Sequence, residues 1–350
     1  MGGNCKDYRR TPEGGRVKKI HRHHEGVKRL LDGIANANQI VLTSHEGPDG
    51  DGVGAMIALS IALTRQGKNV HIIVPSSLPR RFAFLDREKA IRVLSKKSVG
   101  ALYDAQLVIL VDCCELQRTA EVAKHVGGKK VLAIDHHPKT EGCVDGLLAD
   151  DYSSTGELVL DLLEEMGVEI TKDIAFPLYC AILFDTHEFR FTRNDPAVFD
   201  AAKRLVEAGA DAEEASRRLF ASTPIPALLL QARVLQNARV EEKGALVWSF
   251  ITKDMLDGLR VDQDDLRRPV TMLSEMQGVK IAVLFKEVPK RGLVKVSIRS
   301  PGKIKINDIA QMFGGGGHPF AAGVDMDGSL EDVKSKVLPL LRQRVRQRSL

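Results

Sequence analysis

The chain has 350 residues, of which 43% are hydrophobic and 28% are charged, and its formal net charge is +5. These values describe an ordinary globular protein with two domains, whose mild positive charge suits an anionic ligand without requiring nucleic acid. Because no apolar run reaches about 18 residues and the N-terminus lacks an apolar core, neither a transmembrane helix nor a signal peptide is expected. Five cysteines without a C-x-x-C spacing predict a cytoplasmic protein with reduced thiols, Cys113 and Cys114 being small buried residues.

Apolar runs alternate with helical segments in the first half of the chain. Residues 1–25 are basic and Gly-rich and predict a flexible segment, and a short helix is expected at residues 26–37. Four short apolar runs follow, separated by helical patterns, at residues 40–42, 70–74, 107–111 and 131–134. Continuous apolar strands of this kind are typical of a parallel α/β sheet that is buried on both faces.

The first of these runs ends in a Gly-rich turn that carries one imidazole and two carboxylates. His45, Asp49 and Asp51 have the spacing H-x-x-x-D-x-D. Oxygen and nitrogen donors on one short loop suit a divalent cation such as Mn²⁺ or Mg²⁺. The alternative interpretation is an ordinary surface turn, since Pro-Asp-Gly is common in turns.

Two later strands also end in candidate ligands. Asp112 follows the third strand directly, and Asp135, His136 and His137 follow the fourth. Because ligands of parallel sheets bind beyond the carboxyl ends of the strands, these side chains are expected to lie together with the first turn. A further carboxylate, Asp185, ends the apolar run 175–184, whose periodicity does not distinguish helix from strand.

The second half of the chain predicts connecting helices and then a second α/β module. The helices are expected at residues 196–208, 212–220 and 227–240, and the module has strands at 245–251, 279–288 and 293–300, with helices at 262–276 and near the C-terminus. Within it, four consecutive glycines precede His318. Their backbone N–H groups predict a loop that contacts phosphate, and the alternative is a flexible hinge.

In this order, the motifs resemble those of the DHH phosphoesterase family with its C-terminal DHHA1 module, over residues 30–345. The resemblance implies an α/β fold with a parallel-sheet DHH catalytic domain at 26–194, a helical linker at 195–242 and a smaller DHHA1 substrate-binding domain at 243–350. It also implies an active site in the cleft between the domains.

The resemblance further implies a two-metal centre, with Mn²⁺ as the expected ion and Mg²⁺ or Co²⁺ as alternatives. It assigns one ion to His45, Asp49, Asp112 and Asp185, and the other to Asp51, Asp112, His136 and Asp185. Asp135 would orient His136 or a neighbouring loop, and His137 would contact the phosphate or the leaving group. The substrate-binding residues that it implies are Arg118, Arg299, Ser300, Gly315, Gly316, Gly317 and His318.

Compact two-domain members of this family act on small nucleotides. The resemblance therefore implies a phosphoesterase that hydrolyses short oligoribonucleotides (nanoRNA), adenosine 3′,5′-bisphosphate, or both. The alternatives are a phosphodiesterase for cyclic-di-AMP or pApA and a RecJ-like single-strand exonuclease. An aromatic content of 5% argues against a long base-stacking channel. The expected partner is short RNA or a small nucleotide and not a membrane, and a homodimer is one option.

Two motifs depart from the family pattern. The fourth motif has His187 and Glu188 after Asp185-Thr186, where many relatives have Asp-Thr-Gly-x-Phe, and the first has Gly54-Ala55 where Gly-Ser is usual. Neither departure removes a metal ligand. His187 and Glu188 are expected to alter the fit of the substrate near the metals.

Overall fold

A computed structural model describes residues 19–192, 195–262, 265–288, 292–302 and 304–347. The chain divides between Ser222 and Thr223 into two units, each with its own hydrophobic core. None of the helices in these ranges is both long and apolar enough to span a membrane.

The first unit alternates strands and helices. Its strands are β1 (Gln39–Thr43), β2 (Asn69–Val74), β3 (Ile91–Val93), β4 (Leu107–Val111), β5 (Lys130–Asp135) and β6 (Gly146–Leu148). Its helices are α1 (His24–Ala35), α2 (Gly50–Arg65), α3 (Val99–Asp104), α4 (Thr155–Glu165), α5 (Lys172–Asp185), α6 (Pro196–Glu207) and α7 (Ala212–Phe220). Short 3-10 helices lie at Lys19–His23, Arg80–Phe82 and Leu116–His125.

All six strands of this unit are parallel and lie in the order β3-β2-β1-β4-β5-β6. Along β1, Ile40 and Leu42 pack into one core while Val41 packs into the core on the opposite face of the sheet. Burial on both faces explains the continuous apolar runs, and the predicted parallel sheet is confirmed. The chain order reverses between β1 and β4, and ligands of such sheets bind beyond the carboxyl ends of the strands at this point.

Helices α2 and α5 form the interior of the first unit. The run 175–184, for which the sequence left helix and strand open, is part of α5, and nearly every residue of it is buried. A helix with apolar neighbours on all sides has no polar face, which is why its period was hidden. The two helices cross closely at Gly54, where a Cβ atom would lie 2.3 Å from the carbonyl oxygen of Pro177.

The structure describes part of the predicted N-terminal segment and the predicted linker. Residues 1–18 of the segment 1–25 lie outside the described residues, whereas Lys19–His23 is helical and α1 begins at His24. In the predicted linker, α6 and α7 pack Val198, Leu205 and Leu219 into the first core. The linker helices are therefore shared between the two units, and the chain divides after α7.

The thiol prediction for Cys114 is wrong. Cys114 forms a disulfide with Cys143, with the two sulfur atoms 2.00 Å apart. The loops after β4 and before β6 lie side by side, because Val144 N donates to Cys114 O at 2.7 Å. Cys113 is a buried free thiol, as predicted.

The second unit is a smaller α/β module with a mixed sheet. Its strands are β7 (Arg239–Glu241), β8 (Leu246–Ile251), β9 (Ile281–Val288), β10 (Leu293–Arg299), β11 (Gly316–His318) and β12 (Ala321–Asp327), in the sheet order β11-β12-β10-β9-β8-β7. Its helices are α8 (Ile225–Gln236), α9 (Lys253–Leu256), α10 (Arg268–Ser274), α11 (Asn307–Gln311) and α12 (Leu330–Gln347). The second α/β module is confirmed, although α8 ends before Val240, which lies in β7, and α10 is shorter than the predicted helix 262–276.

Candidate metal centre

The turn after β1 places its three polar side chains around the start of α2. Asp49 is the N-cap of this helix, and its Oδ1 atom accepts hydrogen bonds from the backbone N–H of Asp51 at 3.0 Å and of Gly52 at 3.3 Å. Asp51 lies in the first helical turn and is fully buried. The glycine-rich sequence therefore begins a helix, and the helix start fixes both carboxylates.

Asp112 follows β4 in a conformation that non-glycine residues rarely adopt. Its φ is 64°, and its side chain is buried. Its Oδ2 atom lies 3.7 Å from Nε2 of His45. A left-handed residue at a strand end is strained and is typical of a functional site, and here it directs the carboxylate toward the turn after β1.

His136 follows β5 and faces three carboxylates. Its Nε2 atom lies 3.7 Å from Oδ2 of Asp51, 3.9 Å from Oδ1 of Asp112 and 3.4 Å from Oδ2 of Asp185, the last residue of α5. This nitrogen is buried and has no hydrogen-bond partner among the described residues. A buried polar atom of this kind requires a partner, and one surrounded by carboxylates is suited to a cation.

Together these side chains form three overlapping donor groups, in each of which the ligand atoms lie within 4.8 Å of one another. The groups are His45, Asp49 and Asp112; Asp51, His136 and Asp185; and Asp112, His136 and His137. Asp112 and His136 each belong to two of the three groups, and Asp112, whose carboxylate has two oxygens, is suited to contact two ions. Carboxylate and imidazole donors in this number fit divalent cations of the Mn²⁺, Mg²⁺ or Co²⁺ type.

Charge repulsion within the cluster also favours a cation. Burial, together with the charge of Asp112, raises the pKa of Asp49, and the same causes with the added charge of Asp185 raise the pKa of Asp51 well above its ordinary value. Burial would also raise the pKa of Asp112, but the close imidazole of His45 and the charges of His137 and His136 outweigh it and lower that pKa. A divalent cation would relieve this repulsion among buried carboxylates.

The three histidines differ in charge preference. Burial lowers the pKa of His136 and favours the neutral imidazole that a metal ligand must be. Burial opposes ionisation of His45 and His137 too. The carboxylate of Asp112 nevertheless raises the pKa of His45, and the hydrogen bond to Asp135 together with Asp112 raises that of His137 to about 9.

The sequence motifs missed one part of the centre, the N-terminus of α4. The backbone N–H groups of Thr155 and Gly156 donate to the two oxygens of Asp51 at 2.7 Å and 2.8 Å, and the Thr155 hydroxyl donates to Oδ1 of Asp112 at 2.9 Å. The signal was present as the helix start at Ser154, whose hydroxyl caps Glu157 N at 3.0 Å. Nothing local in the sequence linked this helix start to Asp51 and Asp112, which lie 104 and 43 residues away.

Comparison with known proteins agrees with this geometry. Residues 39–182 match the N-terminal domain of the DHH family, and residues 245–347 match the DHHA1 domain. "Bifunctional oligoribonuclease and PAP phosphatase NrnA" of Thermus thermophilus is 31% identical over 308 residues, which cover 87% of this chain and 90% of the relative. The chain belongs to the DHH phosphoesterase family. It is therefore a hydrolase that acts on phosphoester bonds, as the resemblance predicted.

Two further relatives of this DHH phosphoesterase cover nearly its whole length. The protein of the same name from Bacillus subtilis is 26% identical, with 85% of this chain and 92% of the relative covered. An exopolyphosphatase-related protein from Bacteroides fragilis has a solved structure with a TM-score of 0.85 at 25% identity, covering 93% of this chain and 96% of that one. The fold of both units is therefore a family property.

In the DHH motif itself, Asp135 orients the second histidine. Oδ1 of Asp135 accepts hydrogen bonds from the backbone N–H of His137 at 3.1 Å and lies 2.7 Å from its Nδ1 atom. The resemblance implied an orienting role toward His136 or a loop, whereas the contact is with His137. Arg118 is close enough for its charge to oppose protonation of His137, so its positive charge lies near the centre.

In the second unit, Arg299 has no acidic partner among the residues that the structure describes. Its only hydrogen bond to a described residue runs from Nη1 to the carbonyl oxygen of Ile298 at 3.0 Å, and burial and the charge of Arg267 lower its pKa. The neighbouring Ser300 is buried, and its hydroxyl accepts a hydrogen bond from Ile304 N at 3.3 Å. A half-buried guanidinium that feels the charge of a second arginine and has no described carboxylate beside it is suited to an anion.

The glycine run of the DHHA1 domain is largely a strand. Gly316 to His318 form β11, which pairs with β12, and Gly315 N donates to Ala310 O at 2.9 Å. A Cβ atom on Gly315 would lie 2.3 Å from Gly323 O, and one on Gly317 would lie 2.4 Å from Ala321 O. Close strand pairing thus requires glycine at both positions, whether or not the loop also contacts phosphate.

Proposed function

We propose that this DHH phosphoesterase hydrolyses short oligoribonucleotides and adenosine 3′,5′-bisphosphate at a two-metal centre that prefers Mn²⁺. The observation that carries the proposal is the overlap of the donor groups at Asp112. Support for the substrates comes from the Thermus thermophilus relative, which is named for both activities and matches over 90% of its length.

The donor groups support a definite assignment of ligands. His45, Asp49 and Asp112 would hold one ion, Asp51, His136 and Asp185 would hold the other, and Asp112 would be shared. The four carboxylates among these residues carry about the charge that two divalent ions balance. Mn²⁺ is proposed because it accepts both carboxylate oxygen and imidazole nitrogen, with Mg²⁺ and Co²⁺ as alternatives.

Divalent ions at such a centre polarise phosphoryl oxygens and make water acidic enough to act as a nucleophile near neutral pH. The protein supplies position and charge. Thr155 and Gly156 hold the carboxylates of Asp112 and Asp51 in place by hydrogen bonds, and burial excludes bulk water from them. Asp135 fixes the ring of His137, which is proposed to contact the phosphate or the leaving group, and Arg118 adds positive charge for the substrate.

Substrate binding by the DHHA1 domain is also proposed. Arg299 and Arg267 have no acidic partner among the described residues, so an anionic phosphate would satisfy their charges. Ser300, the glycines Gly315, Gly316 and Gly317, and His318 are proposed as neighbouring contacts. Of this set, Gly316 is the glycine around which the structure leaves open space.

The proposal is tested by assaying purified protein with Mn²⁺ in parallel on an RNA dinucleotide, adenosine 3′,5′-bisphosphate, cyclic-di-AMP, pApA and a long single strand. We expect the dinucleotide and the bisphosphate to have the highest kcat/KM. A higher value for cyclic-di-AMP or pApA would favour the dinucleotide phosphodiesterase alternative. A kcat/KM that rises steadily beyond about five nucleotides would favour an exonuclease.

The role of Arg299 has a separate test. Replacing Arg299 with alanine removes a charged hydrogen bond, so kcat/KM should fall about 10- to 150-fold while the metal content stays the same. The matched control is Arg260→Ala, which removes an exposed arginine of the same unit. If Arg299→Ala and Arg260→Ala have equal kcat/KM, Arg299 does not bind the substrate.

A further inference from the structure

The departure in the fourth motif forms an unusual turn beside the metal centre. Directly after Asp185-Thr186, His187, Glu188 and Phe189 have φ angles of 48°, 57° and 63°. Non-glycine residues adopt this left-handed conformation at a cost, and three in succession are rare. Glycine would be the least costly residue at such a position, so each side chain that is present calls for a physical reason.

Two of the three side chains have partners within the first unit. Oε1 of Glu188 accepts a hydrogen bond from the hydroxyl of Ser216 in α7 at 2.8 Å. The ring of Phe189 stacks on that of Phe199 in α6, with the centroids 5.4 Å apart. These contacts tie the turn to the helices that surround α5.

The backbone of the turn is held without the side chain of His187. Phe189 N donates to the Thr186 hydroxyl at 3.1 Å, and Phe191 N donates to the Thr186 carbonyl oxygen at 3.0 Å. Glu188 N donates to Leu183 O at 2.9 Å. The His187 ring is therefore free for a role outside the folding of the turn.

The ring of His187 lies beside two aromatic rings. Its side chain is exposed and its ring nitrogens form no hydrogen bond with the described residues, while its centroid lies 6.4 Å from that of Phe184 and 5.3 Å from that of Phe191. Phe191 is itself 66% exposed. At the inner end, Phe184 packs against Gly50, which lies between Asp49 and Asp51. The rings thus run from the metal ligands to the surface.

We propose that His187 and Phe191 form a stacking surface for the nucleobase next to the scissile phosphate, an inference that rests on the proposed nucleotide substrate. His187 is two residues from Asp185, a distance of at most about 7 Å along the backbone, so a single nucleotide reaches both. Every base has a π-face, so stacking tolerates all four bases. This surface binds one unpaired base, which agrees with short substrates better than with a long channel.

The test compares His187→Gly with His187→Phe on two substrates in Mn²⁺, an RNA dinucleotide and the same dinucleotide without one base. Glycine relieves the left-handed strain, so His187→Gly is expected to fold. We expect His187→Gly to raise KM for the RNA dinucleotide about 5- to 140-fold, the range of one base stack, with kcat unchanged. The base-free dinucleotide should not distinguish the variants from wild type, and His187→Phe should restore KM.

A 2-aminopurine dinucleotide gives an independent signal, because stacking on a ring quenches its emission. Quenching should occur with wild type and His187→Phe and be lost with His187→Gly. The control is His125→Ala, which removes a ring that contacts Tyr103 elsewhere in the unit. An unchanged KM in His187→Gly overturns the stacking surface, as does a His187→Phe variant that behaves like His187→Gly. If metal-loaded wild type hydrolyses neither substrate, the proposed function fails, and the stacking surface with it.

Discussion

The hydroxyl of Thr155 gives the sharpest test of how the metal centre is positioned. Thr155 is fully buried, and its hydroxyl donates to Oδ1 of Asp112 at 2.9 Å while its backbone N–H donates to Asp51 at 2.7 Å. Replacing threonine by valine removes the first bond, keeps the second, and preserves the shape of the side chain. The substitution therefore acts on Asp112 alone.

The expected magnitude follows from the charge of the acceptor. A hydrogen bond to a charged group contributes about 1.5–3 kcal/mol, and loss of a residue that orients a metal ligand costs about 10- to 100-fold in metal affinity. Asp112 has a strained φ of 64°, and the Thr155 hydroxyl helps to fix the direction of its carboxylate. Thr155→Val removes this contact. We expect Thr155→Val to raise the dissociation constant for Mn²⁺ about 10- to 100-fold and to lower activity at limiting Mn²⁺ by a similar factor.

The assay is titration calorimetry with Mn²⁺ on metal-free protein, together with activity as a function of Mn²⁺ concentration. Thr155→Ser keeps the hydroxyl and should stay within about threefold of wild type. Ser249→Ala is the control for loss of a buried hydroxyl elsewhere, since Ser249 donates to Val234 O at 2.7 Å in the second unit. Equal Mn²⁺ affinity in Thr155→Val and Thr155→Ser would refute the positioning role.

Three further predictions concern stability. Mn²⁺ at 100 times its dissociation constant should raise the free energy of unfolding by about 2.7 kcal/mol. Asp112→Ala should abolish both this stabilisation and the activity. Full stabilisation by Mn²⁺ in this variant would contradict the assignment of Asp112 as a shared ligand. Burial raises the pKa of Glu157 to about 7. The stability that protonated Glu157 contributes is therefore fully present below about pH 4.5 and is lost as the pH rises to about 7, which lowers the free energy of unfolding by about 3 kcal/mol. The free energy of unfolding, measured by chemical denaturation across this pH range, should fall with rising pH in wild type and should not show this fall in Glu157→Gln. Gly54→Ala places a Cβ atom 2.3 Å from Pro177 O and should lower the free energy of unfolding by several kcal/mol. The control is Gly100→Ala in α3, whose Cβ atom meets nothing within 4 Å and which should leave stability unchanged or raise it. Equal melting temperatures for the two glycine variants would show that α2 and α5 separate at no cost.

The amino-acid sequence was sufficient to predict the parallel sheet of the first unit and the grouping of its polar side chains. Strands β4 and β5 end directly before Asp112 and His136, and β1 ends two residues before His45. Parallel strands carry such residues to one edge. The same reasoning predicted Asp49 and Asp51, because a glycine-rich turn after a strand begins a helix. These features depend on residues that are close together in the chain, so the sequence pattern is sufficient to predict them.

Tertiary structure decided the features that depend on residues far apart in the chain. The helical state of α5 was hidden because apolar neighbours surround it, so no polar face marks its period. Thr155 contacts Asp51 and Asp112 across about 100 and 40 residues, and no local pattern records such a hydrogen bond. The Cys114–Cys143 disulfide likewise depends on two loops lying side by side. These contacts form where buried groups from distant segments pack together, so the spacing of residues in the sequence does not predict them.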